Sequence, residues 1–187
     1  MSSQVNQKGA SAGGDVVGRD KIERHYHVAP TSLGIVEQLL EKLQAEIEQN
    51  EEIRHTIEAL AYFRTRRSRD GIDGLQAKLQ AGERSHEYFD ALEKKELFAK
   101  LLEKWSLYAS AQEIFAYLLA KAEHEFNYFI HPKISTLNQI ATNQLVNDRI
   151  VVPTITECGS SVFTLNHSIV MGMVYWLAEQ CFVRWHQ

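Results

Sequence analysis

The chain has 187 residues, 44% of them apolar and 24% charged, with a formal net charge of −4. That balance excludes a globally disordered or collagen-like chain, and it excludes a protein that grips nucleic acid with a wholly basic surface. Two cysteines, Cys158 and Cys181, are too few for a disulfide framework, and the longest apolar run, residues 169–178, falls short of the roughly 20 residues of a membrane span.

Gly9, Gly13, Gly14 and Gly18 fall in the first eighteen residues, whereas no proline occurs between Pro30 and Pro132. The asymmetry divides the chain into a glycine-rich arm, residues 1–30, and a single helical domain, residues 31–187. Residues 1–14 are small and polar and predict a flexible leader. Beyond them Ile22, Arg24, Tyr26 and Val28 share one parity, with Lys21, Glu23, His25 and His27 on the other, which predicts a strand with one adhesive face. Gly18, Arg19 and Asp20 can serve as a turn or bulge between that strand and Val16 and Val17. A two-stranded hairpin is marginal by itself. Val16, Val17, Gly18, Arg19, Asp20, Ile22, Tyr26 and Val28 are therefore candidate oligomerisation residues; the plainer alternative is a flexible leader that contains valines.

Pro30, Thr31 and Ser32 end the arm. Val36, Leu39, Leu40, Leu43 and Ile47 then make a helical stripe. Asn50 followed by Glu51 and Glu52 predicts a break and a new helix start, with Ile53, Ile57, Leu60 and Ala61 on its inner face. That helix ends in Arg64, Arg66, Arg67 and Arg69, and residues 70–74 carry turn chemistry. A short helix with Leu75 and Leu79 stops at Gly82. Between Ser85 and Pro132, Phe98, Leu101, Leu102, Trp105, Tyr108, Ala111, Phe115, Leu118, Leu119, Ala122, Phe126 and Phe129 recur at steps of three or four. One long helix fits this pattern, and two helices bent near Ser106 fit a domain of this size better. Pro132 closes the segment. A weaker helix follows with Ile134, Leu137, Ile140, Ala141 and Leu145, and Pro153 predicts an extended connection over residues 150–155. Residues 166–187 are apolar nearly all round, so they predict a buried C-terminal helix. The fold class is all-α: a bundle-like domain with long central helices and a buried last helix, preceded by the β-type arm.

Catalytic chemistry has no support in these residues. Glu52/His55 and Glu83/His86 have the Glu-x-x-His spacing of di-iron bundles, but eighteen glutamates make such pairs common by chance. His124 and His131 lack the spacing of a zinc-binding helix pair, and Cys158 has no histidine partner nearby in sequence. The glycines of residues 9–18 lack the lysine and the preceding strand of a phosphate loop. Arg19 and His25 have the spacing of a helical ribonuclease motif but sit in a strand-like arm. No catalytic residue, metal ligand or cofactor is assigned, and the chain is expected not to be an enzyme. Arg64, Arg66, Arg67 and Arg69 admit two roles. They either pair with the seven glutamates between Glu37 and Glu58 as a solvated helix end, or contact phosphates or an acidic partner.

Three segments carry a resemblance: Gly14–Lys21, Ala91–Phe98 running on to Ala109–Phe115, and Met171–Cys181. With them the chain resembles the C-terminal interaction domains of bacterial ABC three-component conflict systems over nearly its whole length. The glycine-aspartate leader also looks similar to leaders of unrelated bacterial defence effectors. The resemblance implies a non-enzymatic recruitment or assembly module with protein partners, namely an ABC ATPase, a middle component or an effector. The cysteine count and the lack of a signal-peptide pattern predict a cytoplasmic protein, and the adhesive arm predicts a homo-oligomer. Nothing effector-like precedes the domain here, so the chain is expected to work with partners in trans. The alternative is a nucleic-acid sensor acting through the arginine cluster.

Overall fold

The computed structural model describes residues 34–67 and 71–187, which contain eight α-helices and, among the described residues, no strand. The arm of residues 1–30, with Val16, Val17, Gly18, Arg19, Asp20, Ile22, Tyr26 and Val28, lies outside the described residues, as does Arg69.

Helix α1, Ile35–Gln49, buries Val36 and Leu43 of the expected stripe. Asn50 ends it in the left-handed region at φ 55°, where a short polar side chain is tolerated, and its N–H bonds the carbonyls of Glu46 and Ile47. The new helix expected at Glu51 does not form. Residues 51–57 are an irregular strap, and α2 spans only Glu58–Arg64. The reason is tertiary. Gln112, 1% exposed, donates to the carbonyls of His55 (2.9 Å) and Ser106 (2.7 Å) and accepts the Ile57 N–H (2.8 Å), while the Ile53 N–H reaches the Leu107 carbonyl at 2.7 Å. With its backbone groups satisfied elsewhere, the strap gains nothing by winding.

Gly71 and Gly74, at φ 75° and 82°, make the expected turn into α3, Gly74–Ala81. The central pattern resolves into two helices, α4, Tyr88–Trp105, and α5, Ala109–Glu125. The break falls at residues 106–108, as the two-helix reading has it. Glu46 of α1, 7% exposed, accepts the backbone N–H (3.1 Å) and hydroxyl (2.7 Å) of Ser110, so a buried carboxylate satisfies the first turn of α5.

Two π-turns follow, and they explain how the chain accommodates its prolines. Pro132 comes two residues after the π-turn Phe126–Ile130, and Pro153 two residues after the π-turn Asn147–Val151. A proline ring in a helix strikes the carbonyl four residues back. Those carbonyls belong to Tyr128 and Arg149, inside the π-turns, where the bonding register has already slipped. Residues 150–155 are therefore helical and not extended. They continue α6, Gln139–Val146, into α7, Val152–Cys158. Asn138 caps α6 by accepting the Ala141 N–H at 2.9 Å.

Helix α8, His167–Glu179, buries Val170 and every residue from Gly172 to Ala178. It stops at Glu179, and the remainder to Gln187, expected to be helix, is irregular. Cys181, at φ 65°, turns the backbone, and Phe182, Val183, Trp185 and His186 are buried without helix. Trp185 packs against Phe126 and Tyr175, with ring centroids 5.0 and 5.8 Å away.

The most extensive helix pair is α4 with α8. A Cβ at Gly172 would lie 2.0 Å from the Lys94 carbonyl oxygen and 3.2 Å from Phe98 Cβ, so only glycine permits this approach. Gly172→Ala must push α8 off the α4 backbone. We expect a loss of about 3 kcal/mol of unfolding free energy or failure to fold, read by chemical denaturation.

Candidate functional site

The arginines at the end of α2 come first because the sequence singled them out. Arg64 Nη1 donates to Thr56 Oγ1 at 3.3 Å. Arg66 forms an ion pair with Glu179, whose other oxygen accepts the Leu75 N–H at the start of α3 at 2.8 Å. Glu179 thereby joins α8, α3 and the segment after α2. A Cβ at Gly74 would stand 3.6 Å from the same carboxylate. The Arg67 guanidinium lies 3.9 Å from the Tyr62 ring centre and 5.6 Å from that of Phe182, and its backbone N–H donates to the Gln180 carbonyl at 3.1 Å. The three described arginines thus have partners within the fold, and none of them forms an ion pair with the glutamates of α1.

Two of those glutamates, Glu37 and Glu41, border an open cleft of about 700 Å³ that runs along α1. Leu40 of α1 and Val162 supply its apolar surface above buried Val36, and Glu37, Glu41 and Gln44 form one rim. The opposite wall is the end of α7 with Gly159, Ser160 and Ser161. Glu157 on that wall is held by the Tyr117 hydroxyl (2.9 Å) and Lys121 Nζ (2.5 Å). The bond to Glu157, reinforced by burial, raises the Tyr117 pKa. Burial and then the Glu157 carboxylate push the Cys158 thiol up to about 11. That thiol is protonated near neutrality and unsuited to nucleophilic work.

The histidine candidates His55, His86, His124 and His131 lie apart from one another in the chain's elements. Among the described residues no group of three or more His, Cys, Asp or Glu side chains is arranged to hold a metal ion. His55 lies in the strap, and Glu83 sits at φ 58° ahead of the 3₁₀ turn that carries His86. His124 stacks on Tyr128 with centroids 4.6 Å apart. His131 Nε2 lies 3.0 Å from the His186 carbonyl oxygen, and burial lowers its pKa.

The sequence reading missed the buried polar residues that organise this domain. Arg84, 5% exposed, donates to Glu87 (2.8 Å) and to Asn143, with its guanidinium 4.4 Å from the Trp185 ring centre. Glu46 and Gln112 are equally hidden. Glu179 did leave a signal, as the one acid in an otherwise apolar helix.

A family model described as C-terminal domain 9 of the ABC-three component (ABC-3C) systems matches residues 74–185. The chain belongs to that family. The match begins at the first residue of α3 and ends at Trp185, so it includes the α4–α8 pair and the Glu179–Leu75 contact, while α1, the strap, α2 and Arg66 precede it. No curated protein and no solved structure matches the chain.

Two measurements check this geometry. Glu179→Ala leaves Arg66 and the Leu75 N–H without their acceptor, and we expect a loss of about 2 kcal/mol in chemical denaturation. For Cys158 the folded pKa, about 11, is raised above the ordinary 9.0, so burial favours the neutral thiol. Its stabilising contribution is complete below pH 9 and is lost as pH rises through 11. Alkylation of Cys158 in the native protein at pH 8 is expected to be slow and to accelerate on unfolding, as peptide mapping would show.

Proposed function

We propose that this chain is a non-enzymatic assembly module of a bacterial ABC-three-component conflict system, one that docks partner proteins and multiplies its copies through the arm of residues 14–28. Membership in the family, carried by the match over residues 74–185, supports the first half of this reading, since a C-terminal domain of a three-component system works alongside other components. The partners are an ABC ATPase, a middle component or an effector of the same system, and the site of action is the cytoplasm. Among the described residues no helix is long and apolar enough to cross a membrane. The adhesive parity of Ile22, Tyr26 and Val28 supports the second half.

The alternative, a nucleic-acid sensor using Arg64, Arg66, Arg67 and Arg69, has less support. Arg66 and Arg67 spend their guanidinium groups on Glu179 and on Tyr62 and Phe182. Light scattering of the full chain and of a chain beginning at Pro30 tests the arm. We expect the full chain to be the larger assembly, and equal subunit numbers would remove the arm's role. Co-expression with the proteins encoded beside it tests docking, with stable co-purification as the expected outcome.

A further inference from the structure

We propose that the cleft along α1 is the docking groove for a basic amphipathic helix of a partner protein. The inference rests on the docking role above and names the surface that performs it. Its first support is a charge surplus. Residues 37–58 hold seven glutamates against Lys42 and Arg54, and among the described residues Arg64, Arg66 and Arg67 form no ion pair with the glutamates of α1. Glu46 is consumed inside the domain at Ser110, and Glu48 accepts from Gln44. Glu37 and Glu41 are exposed, on the rim of the cleft, and make no ion pair among the described residues.

Shape supplies the second support. Glu37 and Glu41 are four residues apart on one helix, hence neighbours on one ridge. Leu40 lies beside them, half-buried, and Val162 across the cleft is 41% exposed. Val36 to Gln44 spans about 12 Å of α1, roughly two helical turns. The facing wall consists of Gly159, Ser160 and Ser161, with open space around the Gly159 Cα, so a helix backbone can approach closely. An apolar floor with two free carboxylates on one rim fits a helix that presents an apolar face flanked by lysines or arginines one turn apart. An acidic partner helix, or a phosphate-bearing ligand, would meet repulsion at the same rim.

The test uses the full chain and two labelled synthetic probes, an amphipathic leucine–lysine helix and its leucine–glutamate counterpart, with binding read by fluorescence anisotropy. We expect the lysine probe to bind, to weaken as salt rises, and to lose about tenfold or more in affinity to the Glu37→Lys/Glu41→Lys double variant. The same variant is expected to gain affinity for the glutamate probe. Both substitutions are at exposed positions, and circular dichroism confirms that the variant is folded. No binding of the lysine probe, or equal binding to both proteins, overturns the assignment. Co-expression with the neighbouring gene products separates the two levels. If the native chain co-purifies with none of them, the docking role itself fails. If the native chain and the double variant co-purify equally well, only the cleft assignment fails.

Discussion

The domain depends on the contact of two helix backbones. At Gly172 the α8 helix lies against the Lys94 carbonyl of α4 with no room for a methyl group. That proximity sets how the aromatic residues around it meet. Phe98 touches Trp176 and Phe115 edge-on at centroid distances of 5.9 and 6.0 Å, and Phe115 meets Phe163 at 5.0 Å. Close-packed interiors do not stretch to absorb an added atom, so a shift of α8 would propagate through each of these rings. A glycine inside a ten-residue apolar run costs helix propensity of about 1 kcal/mol, and it is the contact it permits that offsets this.

Around this pair the remaining segments are held by a few buried polar side chains. Glu46 fixes α1 to the start of α5, Gln112 fixes the strap to the α4–α5 junction, and Arg84 ties the start of α4 to α6 and Trp185. Glu179 joins α8 to α3. Hydrogen bonds contribute about 0.5–1.5 kcal/mol each, as at neutral Gln112, and about 1.5–3 kcal/mol where a charged group takes part, against a total stability on the order of 5–15 kcal/mol for a domain. The loss of any one of these four would therefore be felt by the whole domain. Apolar burial supplies the driving force. These side chains decide which loop lies where.

This division explains what the amino-acid pattern discloses and what it hides. The helices α1, α3, α4, α5 and α8 are legible because their burial leaves a period of three to four, and Asn50, Gly74 and Gly82 punctuate them. The strap at residues 51–57 is illegible because its acids match a helix start, and only Gln112, distant in sequence, overrides that preference. Residues 150–155 are misread for a different reason. Proline normally excludes a continuing helix, and a π-turn, which has no compositional signature, moves the offending carbonyl. The candidate site divides similarly. The arginine run stands out in sequence, yet Arg66 and Arg67 are engaged with Glu179, Tyr62 and Phe182, whereas the acids at the cleft look like an ordinary solvated helix face until these arginines are found paired elsewhere.

The family match starts at α3, which gives the two parts of the domain different standing. The matched residues include the α4–α8 core, whereas Arg66 and α1 precede them. Helix α1 supplies one wall of the cleft from outside the matched residues, and it is anchored to the core by Glu46 and buried Val36 and Leu43. A helix fixed in this way presents Glu37 and Glu41 from a rigid element, so the proposed partner helix would meet the charges without ordering a loop first. On the docking proposal, the matched residues set the fold, and α1, which precedes the match, would carry the partner contact.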